Sequence, residues 1–141
     1  MKTLGPLVAQ WIHDKLPSPA DPSRGFDLTA EQAGIVMRWF AVDERGRFVY
    51  RSGMLQQAKG WGKSPFVSAL AVAEFAGPVL YDGVDAHGRP VGRPWGTGGS
   101  PPPWVQIAAN AEDQATSNVY SLVWEFLSLN HGKAASDLGI D

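Results

Sequence analysis

Residues 57–65 read Gln57-Ala58-Lys59-Gly60-Trp61-Gly62-Lys63-Ser64-Pro65. Two glycines, a lysine and a serine in that order are the parts of a phosphate-binding loop. A phosphate group needs several backbone N–H donors converging on it, and glycines let the chain take the tight path that points them inward. A following helix adds its unpaired first-turn N–H groups and the positive end of its dipole. A lysine carries charge to the outer phosphates, and the hydroxyl after it can ligate Mg2+. Gly60, Gly62, Lys63 and Ser64 fill those positions. The full pattern G-x-x-x-x-G-K-[ST] is not met, because its first glycine falls on Gln57. The competing reading is a surface turn whose Ser64 caps the next helix.

The flanks decide what kind of loop this is. Two short strands are expected at 48–50 and 54–57, around Ser52-Gly53. A helix is expected from about Lys63 to Ala76, with Phe66, Ala69, Leu70 and Ala73 toward the core. Pro65 falls in its first turn, where a missing N–H costs nothing. Gly77-Pro78 is a stop signal. Upstream, Leu4, Leu7, Val8, Trp11, Ile12 and Leu16 lie at helical spacing, and Pro17, Pro19 and Pro22 then make a linker. Thr29-Ala30-Glu31-Gln32 fits a capping box with Thr29 as N-cap. Ile35, Val36, Trp39 and Phe40 give that second helix its buried stripe, and residues 43–46 turn the chain.

Downstream, residues 77–103 hold 7 of the 16 glycines and 6 of the 11 prolines. They read as one long loop, mobile or functional, with at most a short strand near 79–81. A buried strand is expected at 104–109, then a long helix from the N-cap Asn110 through Leu129, ended by Gly132. Strands alternating with helices favour a parallel α/β sheet.

Composition bounds the rest. At 141 residues the chain is the length of one ordinary domain. Its 44% apolar content can build a core, and 18% charged residues fall below the usual level of about 25%. A net charge of −2 argues against a dominant basic nucleic-acid surface, though not against a local patch. With no cysteine there is no disulfide framework and no thiolate metal site. No run reaches the roughly 18 apolar residues of a membrane span, and the N-terminus makes a weak signal peptide. An intracellular, non-secreted protein is the expectation.

Three separated stretches carry a family resemblance. FVYRSGMLQQAKGWGKSP over 48–65, GFDLTAEQ over 25–32 and PWVQIAANAEDQ over 103–114 resemble terminase large subunits from phages of actinobacteria, in the family's own order. The resemblance implies an incomplete RecA-like P-loop NTPase, a three-layer α/β fold with N-terminal helices. Residues 1–24 would be the N-terminal helix and linker, and 25–141 the Walker A half of the ATPase domain. ATP and Mg2+ would be the cofactors, held by Lys59, Gly60, Trp61, Gly62, Lys63 and Ser64, with Ser64 the Mg2+ ligand. Gln32 matches the family's adenine-contacting glutamine; from the residues alone it is equally a capping-box partner. Lys59 stands where many relatives place an arginine, which keeps the charge and loses the bidentate fork. DNA, the portal and the small terminase subunit would be partners of the complete protein, at the procapsid in the host cytoplasm.

The same resemblance marks absences. No apolar run ending in Asp-Glu follows residue 64, so a Walker B strand, its catalytic glutamate and a nuclease domain are not expected here, and no catalytic residue is assigned. A chain of this kind would leave strand edges uncovered and turn over ATP poorly. The alternatives are a non-catalytic α/β interaction module, an inactive fragment, or a P-loop kinase whose lid arginines are not visible. His13, His87 and His131 share no metal-ligand spacing and read as surface residues. Trp11, Trp39 and Trp124 read as core and Trp95 as a local anchor. Trp61 could stack near a nucleotide or cover the loop.

Overall fold

The computed structural model describes residues 2–58, 60–108 and 121–128. The first helix, α1 (Gly5–Lys15), carries Pro6 in its first turn and ends where Leu16 turns extended. Leu4, Val8, Ile12 and Leu16 are spaced by four and fully or almost fully buried. One face of α1 is therefore a continuous apolar stripe. The proline-rich stretch after it folds back on itself: Ser18 N–H donates to the Arg24 carbonyl at 2.8 Å and Phe26 N–H to the Leu16 carbonyl at 2.9 Å.

Helix α2 (Ala30–Trp39) begins with the expected capping box. Gln32 N–H donates to Thr29 Oγ1 at 3.2 Å, and Thr29 N–H donates to Gln32 Oε1 at 3.0 Å. Thr3 ties the two helices together. Its hydroxyl donates to the Met37 carbonyl at 2.6 Å and accepts from Gly5 N–H at 3.0 Å. A Cβ on Gly5 would lie 2.6 Å from the Met37 Cα, so only glycine permits this approach of α1 to α2.

Helix α3 (Lys63–Ala76) has the expected bounds and stops at Gly77. Phe66, Ala69, Val72 and Ala73 are buried in one core with Val8, Ile12, Val36 and Phe40. The last described helix, α4 (Ser121–Ser128), lies against α3 and adds Phe126, edge-on to Phe26 with ring centroids 5.8 Å apart. The start of the long helix expected from Asn110 and its end near Gly132 lie outside the described residues.

The strands differ from expectation. Among the described residues the sheet is a hairpin, β1 (Leu80–Val84) antiparallel to β2 (Pro90–Arg93). The stretch read as one long loop thus contains it. Residues 48–50 make a single bridge, Val42 to Phe48, and 54–57 and 104–108 join no ladder. Extended backbone becomes a strand only beside a neighbour that takes its N–H and C=O groups. No described residue offers 54–57 or 104–108 such a neighbour. Met54 is 93% exposed and Trp104 is 87% exposed, so the buried strand expected at 104–109 is overturned over 104–108, while Ala109 lies outside the described residues. Trp124 is 65% exposed and is not a core residue, whereas Trp11 and Trp39 pack against the core as expected.

Two turns share one design. In residues 43–47 and 85–89 the pattern is Asp-x-x-Gly-Arg. Asp43 Oδ1 accepts the N–H groups of Arg45 and Arg47 at 2.8 and 2.9 Å, and Asp85 Oδ1 accepts those of His87 and Arg89 at the same distances. The glycines, Gly46 and Gly88, sit at φ 76° and 75°. These backbone donors, Arg47 N–H first for Asp43 and Arg89 N–H first for Asp85, hold both carboxyls below the usual carboxylate range.

Because the Met37 backbone cannot move aside like a flexible side-chain end, Gly5→Ala should destabilise the chain by about 1–3 kcal/mol. A lowered urea midpoint at unchanged denaturant slope is the expected result.

Candidate functional site

Gly62 is the N-cap of α3, at φ 90° and ψ 27°, and no side chain caps this helix. Gly60 also sits at φ 90°. Side-chain-bearing residues rarely adopt this conformation, so both positions require glycine. Lys63 and Ser64 are the first two residues of the helix, whose N–H groups have no carbonyl a turn earlier within it. Pro65, next in line, has no N–H to satisfy. Ser64 lies inside the helix, so the reading of Ser64 as its cap is overturned.

Ala58, Gly60, Gly62, Lys63, Ser64 and Pro65 line a cleft of about 470 Å³. The loop therefore brings together four of the expected phosphate-binding residues, Gly60, Gly62, Lys63 and Ser64, at the open end of a helix. Lys63 is exposed and Ser64 half-buried. Lys59 lies outside the described residues. Among the described residues no group of three His, Cys, Asp or Glu could hold a metal ion.

Gln32 is only 5% exposed, and its Nε2 would lie 3.5 Å from a Cβ on Gly62. Its Oε1 closes the α2 capping box while its amide nitrogen borders the loop. Capping thus leaves one end of the same side chain beside the cleft.

Trp61 does not line the cleft. Its indole Nε1 donates to Glu31 Oε2 at 2.7 Å, and its ring meets Phe66 edge-on, with centroids 5.7 Å apart. The covering reading of Trp61 is the one the geometry gives. Glu31 was not singled out by sequence reasoning as a partner of this loop, and a contact across 30 residues leaves no local signal.

A second tryptophan–carboxylate contact braces the helices behind the loop. Trp39 Nε1 donates to Glu74 Oε1 at 3.1 Å. Burial pushes the Glu74 carboxyl above its ordinary value of 4.5, and the indole N–H partly offsets this. His13 pairs with Asp27 at 2.6 Å, both well exposed, as a surface histidine would.

The chain is 36% identical to the Gene 13 protein of Mycobacterium phage L5 and 35% identical to the Gene 13 protein of Mycobacterium phage D29, over 99% of its own length. It is a relative of bacteriophage proteins. It spans about a quarter of the length of those relatives, 26% and 25% respectively. No family model and no solved structure matches it. No described helix of this phage-related chain is long and apolar enough to cross a membrane.

The raised Glu74 carboxyl has a definite sign in stability. The folded state holds that proton more tightly than the unfolded chain does, so stability is lost as pH rises through the window above 4.5. Glu74→Gln keeps an oxygen acceptor for Trp39 and removes the buried charge. Its melting temperature should exceed the native one by a few degrees at pH 7 and converge with it near pH 4, as calorimetry would read.

Proposed function

We propose that this chain grips the phosphates of Mg-ATP through the 60–64 loop, as the nucleotide-binding part of a DNA-packaging motor of the terminase large-subunit kind. The observation that carries the reading is the uncapped N-terminus of α3, opening on a cleft lined by Gly60, Gly62, Lys63 and Ser64. The resemblance of 25–32, 48–65 and 103–114 to terminases supports it, as does the relation to phage proteins about four times longer. On this reading the helix N–H groups and the Lys63 ammonium hold the phosphates, the Ser64 hydroxyl meets Mg2+, and the Gln32 amide reaches the base. The complete protein is a P-loop NTPase whose further residues supply water activation and the rest of the metal shell. Its DNA, portal and small-subunit partners, at the procapsid in the host cytoplasm, belong to that complete protein. Bound nucleotide would supply the energy for DNA movement; the residues described here hold and orient it.

A second reading is favoured by a different observation. The exposed Phe75, Trp104 and Val105 line one largely apolar cavity of about 450 Å³ with Val72, Ile107, Val123 and Leu127, a patch that suits a non-catalytic interaction module.

Titration with a fluorescent ATP analogue and Mg2+ separates the two. Lys63→Ala should weaken binding by about 10- to 100-fold, the worth of a charge-assisted hydrogen bond, while Lys15→Ala leaves it unchanged. A native chain that fails to bind at millimolar nucleotide favours the interaction module.

A further inference from the structure

Trp61 is flanked on both sides by glycines at φ 90°. The main chain on either side of it has freedom that no side chain restrains. Within this stretch Trp61 N–H closes a turn on the Ala58 carbonyl at 3.2 Å. Its side chain is then held from two directions. Glu31, in the first turn of α2, accepts the indole N–H at 2.7 Å. Phe66, fully buried in the first turn of α3, takes the ring edge-on. Both anchors stand on elements outside the loop: Glu31, its side chain exposed, follows Thr29 and precedes Gln32 in the capped first turn of α2, and Phe66 sits in the core.

We propose that Trp61 and Glu31 form a positioning pair that holds the phosphate loop in its binding shape before ligand arrives. The inference rests on the nucleotide reading above and deepens it. Neither residue touches the ligand; each acts through the backbone of Gly60 and Gly62. A loop with two left-handed glycines and no such brace would sample many paths. The conformational entropy lost in choosing one would then be charged to binding. With the brace, that ordering is part of folding. Because the pair shapes the phosphate cradle and not the base pocket, its effect is the same for any polyphosphate. Because Glu31 acts as a hydrogen-bond acceptor, a neutral acceptor of the same shape replaces it. The lost charge then carries no penalty beside an anionic ligand.

The test measures binding of a fluorescent ATP analogue, and of inorganic tripolyphosphate by competition, in the 141-residue chain. Trp61→Phe keeps the ring contact and removes the donor; Glu31→Ala removes the acceptor and keeps Trp61. Each should weaken both ligands by about tenfold, the worth of one hydrogen bond to a charged group. The double variant should be no weaker than either single variant, since both remove one interaction. Glu31→Gln should bind within about twofold of native, a rescue that general loss of packing would not give. Far-ultraviolet circular dichroism checks that each variant is folded, and Glu31→Ala carries the test if Trp61→Phe is not. Native affinity in Glu31→Ala, additive losses, or loss for the nucleotide alone would overturn the pair. A native chain that binds neither ligand overturns the nucleotide reading itself, and with it any ligand for the pair to prepare for.

Discussion

Phe66 is the side chain on which the candidate site depends. It lies in the first turn of α3 and is fully buried in the core that α1 and α2 share. A helix packed at its first turn resists shifts of its N-terminus, and residues 62–65 at that N-terminus line the cleft. The same ring receives the edge of Trp61. Core packing, helix start and loop therefore meet at one residue, and the polar groups of the loop are arranged around an apolar anchor.

The close approach of α1 and α2 serves the same end from further away. Gly5 against the Met37 backbone, with Thr3 bonded to both, sets the separation of these helices. α2 then presents Glu31 and Gln32 to the loop from its first turn. Both residues combine a local task at a helix start with a reach toward another element. A substitution in the helix pair would therefore be felt at the cleft without touching it.

Helices were legible in the sequence because their signals are local. The four-residue spacing from Leu4 to Leu16, the Thr29–Gln32 box and the Gly77 stop each act within a turn or two. The glycine loop was legible for the same reason. Most strand expectations failed, because a strand is defined by a partner distant in sequence. Residues 54–57 and 104–108 have strand-like composition and no described neighbour to pair with. Of the hairpin at 80–93 only the first strand showed, as the short strand expected near 79–81; glycines and prolines made the rest read as loop. One signal could have found it: Asp85-x-x-Gly-Arg89 repeats Asp43-x-x-Gly-Arg47, and the earlier copy was already read as a turn. Contacts such as Trp61 with Glu31 and Trp39 with Glu74 span 30 and 35 residues, and no spacing announces them.

The six tryptophans occupy contrasting surroundings, with an optical consequence. Trp39 and Trp61 each donate an indole N–H hydrogen bond to a glutamate oxygen, while Trp104 and Trp124 stand largely in solvent. Water-exposed indoles emit at longer wavelength than enclosed ones. The ultraviolet emission of this chain is therefore a composite, its red side coming from the most exposed rings. A change at the loop would be seen as a small shift on the blue side, and selective quenching of the exposed rings with iodide would unmask it.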